Sequence, residues 1–184
     1  MIEIRWHGRG GQGGFTAARL LGMAAAQYDE CYAQAFPSFG PERRGAPVLG
    51  FTRIDKSPIH DHSKVYECDY VVVLDESLLE TIDVTQGIKP HGRLLINTTK
   101  KQKDFAKLGV SEIFTIDATA IALEILHQPI TNTAMFGALV AISGIVSLEA
   151  AKISISLSMA PKLVEKNQMV VEKAYYLFKQ GASL

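Results

Sequence analysis

The sequence predicts one α/β domain in which helices flank a mostly parallel β-sheet and the last third of the chain is helical. Short runs rich in β-branched residues alternate with segments of helical periodicity up to about residue 118, and only helical patterns follow. No repeat, low-complexity tract or flexible linker divides the chain. Residues 1–184 are therefore predicted to form a single domain.

The first predicted strand, residues 2–7, leads into a glycine turn and then into a helix that reaches about residue 27. Gly8, Gly10 and Gly13 give the pattern G-x-G-x-x-G between this strand and this helix. Glycines permit a tight turn there, and the backbone N–H groups at the start of a helix suit phosphate oxygens. This start makes the predicted sheet Rossmann-like.

Five further strands and four further helices follow in the predicted order. The most apolar run ends at Asp75 and is typical of a strand that is covered on both faces by helices. Predicted helix starts carry capping residues such as Ser147, or a proline as at Pro161, and the last helix stops at Gly181. The strands are predicted at 32–36, 48–54, 70–75, 93–97 and 113–117, and the helices at 118–127, 134–143, 148–157 and 161–180.

The glycine turn does not identify its ligand by itself. A dinucleotide-binding unit needs an acidic residue at the end of the second strand, about 20 positions on, to bind the ribose hydroxyls. Asp29 and Glu30 come before the second strand, so the fingerprint is incomplete. Arg9 and Gln12 add side-chain donors, which favours a polar ligand or partner. A dinucleotide, another phosphate ligand and a purely structural turn all stay open.

A second candidate site is the proline-rich loop that contains Glu42, Arg43, Arg44 and Gly45. Prolines stiffen this loop and lower the entropy cost of presenting its side chains. Two adjacent arginines suit a phosphate or carboxylate, and neighbouring phenylalanines suit a partner's pocket. The alternative is that Glu42 neutralises one arginine and the loop packs on its own sheet.

Composition excludes several classes of protein. Lys and Arg total 19 and Asp and Glu total 19, so no excess of positive charge favours nucleic acid or an anionic membrane. No basic leader and no long apolar segment is present, which predicts a cytoplasmic protein that does not enter membranes. Cys31 and Cys68 are too few for an iron–sulfur cluster, which needs about four thiolates.

Other polar residues are weaker candidates. His60 and His62 lack an evident third metal ligand, and an exposed turn after Pro58 explains them. His7 has no identifiable catalytic partner, the two cysteines are predicted to be buried thiols, and the lysine run at 100–103 is explained by a solvated helix start.

Two long segments resemble a known family. RWHGRGGQG at 5–13 and YAQAFPSFGPERRGAP at 32–47 closely resemble the gamma subunit of pyruvate:ferredoxin oxidoreductase and related 2-oxoacid oxidoreductases. The likeness continues at 70–75, 116–119, 132–135 and 162–167, so it spans nearly the whole chain.

The resemblance implies a heteromultimeric enzyme that oxidatively decarboxylates a 2-oxoacid, with pyruvate the first choice, to an acyl-CoA and passes electrons to ferredoxin. Thiamine diphosphate with Mg²⁺ and the iron–sulfur clusters would be held by the alpha, beta and delta subunits. This chain would be a non-autonomous subunit without a catalytic residue or metal of its own.

For this chain we hypothesise a positioning role. Arg9, Gly10, Gly11, Gln12 and Gly13, with the loop residues Glu42, Arg43, Arg44 and Gly45, would face partner subunits or CoA. The alternatives are a free-standing dinucleotide-binding oxidoreductase and a purely structural subunit.

Overall fold

The structure is a computed structural model that describes residues 1–27, 31–38 and 45–181. Within these ranges the chain forms six β-strands, five α-helices and two 3-10 helices. The strands are β1 (Ile2–Arg9), β2 (Tyr32–Pro37), β3 (Pro47–Asp55), β4 (Cys68–Val73), β5 (Ile88–Asn97) and β6 (Glu112–Ile116). The α-helices are α1 (Gly14–Ala26), α2 (Ala118–Leu126), α3 (Asn132–Ser143), α4 (Leu148–Ser158) and α5 (Pro161–Gly181), and the 3-10 helices are Glu76–Glu80 and Gln102–Leu108.

The six strands form one mixed sheet in the order β2-β3-β1-β4-β5-β6. Strands β1, β4, β5 and β6 run parallel to one another, and β3 lies antiparallel between β1 and β2. Because β1 and β2 are both antiparallel to β3, they point the same way, with β3 between them. The predicted mostly parallel sheet with a helical last third is confirmed, whereas the single domain over 1–184 stays a prediction.

Side chains alternate between two apolar cores on the two faces of the sheet, as the pleat requires. Ile4, Trp6 and Val72 point into the larger core, which all five α-helices cover. Trp6 Nε1 donates to Thr52 Oγ1 at 3.1 Å, and this hydroxyl donates to the carbonyl of Ala18 in α1 at 2.9 Å, so β1, β3 and α1 are joined inside that core.

The opposite face is covered differently. Val71 and Val73 point into a smaller core, where Leu78 and Phe105 from the two 3-10 helices pack with Val84. The sheet is thus flanked on both sides, with all five α-helices on one face and the 3-10 helices on the other.

Helix α3 is the most enclosed element of the described chain. Ten of its twelve residues, from Asn132 to Ala141, are buried. Its main partner is α5, and Gly137 lets the two backbones approach closely, because a Cβ at that position would lie 2.4 Å from the carbonyl oxygen of Val171.

Most predicted boundaries agree with the structure to within two residues, but β5 begins at Ile88 instead of residue 93. Pro90 and Gly92 interrupt the apolar pattern there, and the ladder between β4 and β5 shifts register between Cys68 and Tyr70. Gly92 sits so close to β4 that a Cβ would lie 2.9 Å from the Cys68 carbonyl oxygen. A Cβ would also lie 2.6 Å from Ile88 Cγ2 of the same strand, so the glycine serves both the start of β5 and the close approach of β4, and it does not mark a break between elements.

Candidate functional site

The glycine loop, residues 8–13, lies at the carboxyl edge of the parallel strands. It connects β1 to α1, and the chain after β4 begins beside it, since the amide of Leu74 donates to the His7 carbonyl at 2.8 Å. From β1 the chain crosses through α1 to β2, while from β4 it continues to β5 on the other side. Such a reversal of strand order opens a crevice at the carboxyl ends, where α/β proteins bind ligands.

The Arg9 side chain joins this loop to neighbouring segments through three hydrogen bonds. Its Nε donates to Asp75 Oδ2 at 3.1 Å, Nη2 donates to Ser77 Oγ at 2.7 Å and Nη1 donates to the Gly45 carbonyl at 3.0 Å. The donors that the sequence analysis expected to favour a ligand are thus engaged by acceptors of the chain itself.

The Gln12 side chain stabilises the turn by two hydrogen bonds. Its Nε2 donates to the same Asp75 Oδ2 at 2.9 Å, and its Oε1 accepts from the Arg9 amide at 2.8 Å. A backbone bond from the Gln12 amide to the Arg9 carbonyl, at 3.0 Å, completes the loop.

Asp75 is the residue that joins these contacts. Partial burial raises its pKa, but hydrogen bonds from Ser77 and Gln12 and the charge of Arg9 outweigh burial and lower the pKa of Asp75 below its ordinary value. A carboxyl with a depressed pKa stabilises the fold above its ordinary pKa, and this contribution is lost as pH falls through the lowered value. Sequence analysis placed Asp75 at a strand end without giving it a role.

Gly45 lies against the glycine loop and is joined to it by backbone hydrogen bonds. The Gly10 amide donates to the Ala46 carbonyl at 2.9 Å, and the Gly45 amide donates to the Gly10 carbonyl at 3.2 Å. Gly11 is exposed at the tip, with a φ of 94° and open space around it. The exposed part of the loop is therefore mainly glycine backbone.

Two helix starts meet behind the loop. Gly13 has a φ of 77°, and a Cβ there would lie 2.5 Å from Nδ2 of Asn132, the first residue of α3. Thr133 is buried and donates to Asn167 Oδ1 at 2.9 Å, which fixes the start of α3 against α5. The positive ends of α1 and α3 thus lie close together, an arrangement that suits an anion. Sequence analysis gave Asn132 no part in this site and noted it within the segment 132–135 of the family resemblance.

Several predicted residues lie outside the described ranges. Glu42, Arg43 and Arg44 of the proline-rich loop are among them, and so are the acidic candidates Asp29 and Glu30. Their part in the site stays a prediction.

The weaker candidates have structural explanations. His60 and His62 are exposed in a stretch without helix or strand, and the described residues contain no group of three or more metal-ligating side chains. Cys31 is half-buried, and Cys68 is buried, which raises the pKa of its thiol to about 11.

His7 is buried beside Arg5 on the smaller-core face of β1. Its Nε2 accepts from Arg5 Nε at 2.9 Å, so Nδ1 carries the proton, and Nδ1 has no hydrogen-bond partner within residues 1–27, 31–38 and 45–181. Burial first, and then the charge of Arg5, lower the pKa of His7 to about 3. A histidine that stays neutral and enclosed in this way is a poor proton-transfer group near neutral pH.

The folding stability of the chain should fall by about 1 kcal/mol between about pH 7 and about pH 5.5 because of His7. The unfolded chain binds a proton at His7 near the ordinary pKa, whereas the folded chain does not until about pH 3, so acid favours unfolding. Urea unfolding of the wild type and of His7→Gln at the two pH values measures this, and the variant should show the flatter dependence. His60→Gln, at an exposed histidine, serves as control. Equal pH dependence in the wild type and His7→Gln would contradict the assignment.

The fold and the site together define an α/β protein with a glycine loop fixed at a reversal of strand order, where two helix starts meet. Comparison with known proteins identifies the family and agrees with this fold. The family described as pyruvate ferredoxin/flavodoxin oxidoreductase matches residues 3–177. The chain therefore belongs to this family, as a gamma-type subunit of a pyruvate or 2-oxoacid ferredoxin oxidoreductase.

The individual relatives are similar over almost their full lengths. Pyruvate synthase subunit PorC of Methanocaldococcus jannaschii is 53% identical, covering 95% of this chain and 96% of the relative. The gamma subunit common to the pyruvate and ketoisovalerate oxidoreductases of Thermococcus kodakarensis is 50% identical, with the same coverage of 95% and 96%. The crystal structure of pyruvate oxidoreductase subunit PORC from Thermotoga maritima superposes with a TM-score of 0.83 at 40% identity and covers 95% of each chain. The resemblance noted in the sequence is thus confirmed.

None of the helices in ranges 1–27, 31–38 and 45–181 has both the length and the apolar character that crossing a membrane requires.

Proposed function

We propose that this chain is the gamma subunit of a complex that oxidatively decarboxylates pyruvate to acetyl-CoA, with ferredoxin as electron acceptor. The observation that carries the proposal is the 53% identity to a protein named pyruvate synthase subunit PorC, over 95% of the chain. A second relative serves both pyruvate and ketoisovalerate oxidoreductases by its name, so other 2-oxoacids are the alternative substrates.

The cofactors of the reaction belong, in this proposal, to the alpha, beta and delta subunits. An iron–sulfur cluster takes about four thiolates. The sequence has two cysteines, and the raised pKa of Cys68 keeps that thiol protonated. Thiamine diphosphate would supply the carbon chemistry of decarboxylation from a partner chain. No step of the reaction passes through a group that this chain holds.

In this proposal the chain contributes by positioning its partner subunits and CoA. The Arg9, Gln12 and Asp75 bonds hold the loop in one conformation, which lowers the entropy cost of binding against the exposed Gly11 backbone. The helix starts of α1 and α3 behind the loop favour negative charge. The loop is therefore proposed to face the partner subunits and to order the phosphate end of CoA.

Anaerobic affinity purification of the tagged chain from its own cells tests the assembly. Co-purification of iron–sulfur partners with pyruvate- and CoA-dependent reduction of viologen supports the proposal. A chain that emerges alone and binds NAD(P) would replace it with the dinucleotide-binding alternative, and a complex active only with other 2-oxoacids would correct the substrate.

Changing both Arg43 and Arg44 to alanine should raise the CoA concentration required by the assembled enzyme about tenfold or dissociate the subunit, since charge-assisted contacts of arginine to phosphate or carboxylate are strong. The dependence of viologen reduction on CoA and the subunit composition after gel filtration measure the two effects. Arg19→Ala, at an exposed arginine of α1, is the control. If neither CoA dependence nor assembly changed, the two arginines would have no part in the site.

A further inference from the structure

We propose that the outer edge of β6 is a docking groove for an extended acidic segment of a partner polypeptide, which binds by adding a strand to the sheet. In the described chain β6 is the last strand of the sheet and pairs only with β5. An edge strand leaves backbone N–H and C=O groups unpaired on its outer side, and extended peptides bind by completing such an edge.

A cavity of about 960 Å³, named here the β6 groove, follows this edge. Phe114, Thr115 and Ile116 all line it. The ends of α3 (141–142) and α5 (177–179) line it as well, so the groove lies beside β6, between this strand and the helices of the larger-core face.

Three of the five residues of β6 line the groove, and Arg93 of β5 extends it toward the start of the strand. At its amino end is Arg93, which lies opposite Glu112, the first residue of β6. At its carboxyl end are Lys100, Lys101 and Lys103, which follow β5. Five strand residues span about 16 Å, enough to pair with a short extended peptide but more than a single small anion fills.

The residues that line the groove carry more positive than negative charge. Arg93 pairs with Glu112 at 2.9 Å, and Lys100 pairs with Glu76. Lys101, Lys103 and Lys179 are exposed lining residues whose ammonium groups form no ion pair with a carboxylate of the described residues, although the Lys101 amide donates to Asp104 Oδ2 at 3.1 Å and Lys179 Nζ lies 5.7 Å from the Tyr175 ring centroid. The acidic group that lines the groove, Asp117, already accepts the Ala120 amide at 2.8 Å as the cap of α2. This imbalance favours an acidic occupant.

One wall of the groove is apolar. Phe114 and Phe178 meet edge to face with ring centroids 6.0 Å apart, and Leu177 beside them is 49% exposed. An added strand points alternate side chains to opposite faces, so a segment that alternates acidic and apolar residues would meet lysines with one set and this wall with the other. The occupant is thus a polypeptide with alternating acidic and apolar residues.

This surface is separate from the glycine loop. Three strand spacings, about 14 Å, lie between β1 and β6. The inference therefore does not rest on the proposed function.

Binding of a fluorescein-labelled alternating Glu-Val peptide to the full chain, followed by fluorescence anisotropy at low salt, tests the proposal. The Lys101→Glu, Lys103→Glu double variant should bind about tenfold more weakly than the wild type. The matched control is the double variant Lys162→Glu, Lys166→Glu. It reverses the charge of two exposed positions of α5 that do not line the groove, and it should bind the peptide as the wild type does.

Two N-methylated peptides separate strand addition from simple attraction of charge. One carries methyl groups on the glutamate amides and the other on the valine amides. In an added strand only alternate amides face the edge, so one peptide should lose about tenfold in affinity and the other should not. The proposal would be overturned if the peptide showed no saturable binding, or if both charge-reversed variants lost the same affinity. Equal binding of both methylated peptides would also overturn it, because the groove would then attract anionic peptides without pairing with their backbone.

Discussion

Replacing Asp75 by asparagine is expected to lower the 2-oxoacid- and CoA-dependent activity of the assembled complex by about tenfold or more. The carboxylate oxygen Oδ2 accepts from both Arg9 Nε and Gln12 Nε2. Asparagine keeps only one of the two acceptor oxygens, so its NH2 group must face either Arg9 and Gln12 or the donors of Ser77, and the negative charge beside Arg9 is lost in both cases. Hydrogen bonds to charged groups contribute about 1.5–3 kcal/mol each. The glycine loop would lose its fixed conformation while the remainder of the sheet stayed intact.

Asp83→Asn is a matched control for this change. Asp83 Oδ1 accepts from the Thr85 amide at 2.9 Å and from Thr85 Oγ1 at 2.6 Å. Asp75 Oδ1 makes the same local pair of bonds with Ser77, at 3.0 and 2.6 Å. The two substitutions therefore differ mainly in the contacts to the glycine loop. Viologen reduction by complexes that carry each variant measures the effect, and equal activities would show that the Asp75 contacts do not position the loop for function.

Gly137→Ala is expected to lower the free energy of unfolding by about 1–3 kcal/mol, the cost typical of overpacking. The new Cβ would lie 2.4 Å from the Val171 carbonyl oxygen and 2.8 Å from its Cα, so α3 and α5 would have to separate. In a helix with free space around the glycine, the same change would raise the free energy of unfolding by about 0.5–1 kcal/mol. A decrease would therefore indicate close contact between the two helices.

Gly14→Ala serves as the control for Gly137→Ala. A Cβ on Gly14, at the start of α1, would find only Leu74 Cδ2, at 4.0 Å. Urea unfolding of the full chain should show a lower midpoint for Gly137→Ala and no loss for Gly14→Ala. A midpoint for Gly137→Ala at or above that of the wild type would mean that the two helices are not in such close contact.

Most elements were predictable because they depend on local patterns. The apolar run before Asp75, Ser147 at the start of α4 and Pro161 at the start of α5 each act within a few residues of themselves. The pairing of strands is a different matter, because nothing local shows that β3 enters the sheet antiparallel between β1 and β2. The 3-10 helix at Glu76–Glu80 was missed, and the one at Gln102–Leu108 was expected only as a helix start at the lysine run, since such short segments carry too few turns to show a period.

The position of the candidate site was predictable from the sequence, but the contacts between its side chains were not. The glycine pattern locates the loop, and parallel strands end at one edge, which brings Asp75 near it. The sequence does not show that Arg9 and Gln12 turn toward this carboxylate instead of toward a ligand, because that depends on strand order. Asn132 lies 119 positions from Gly13, a separation that no local pattern spans.

The enclosure of α3 has a consequence for how the chain is made. Ten of its twelve residues are covered, largely by α5, which begins at Pro161 and is synthesised afterwards. A helix that is apolar on every side has no stable place in water without its cover. On the ribosome the central helix layer can therefore close only after the last helix has emerged. Until then the apolar surface of α3 is open to chaperones and to aggregation.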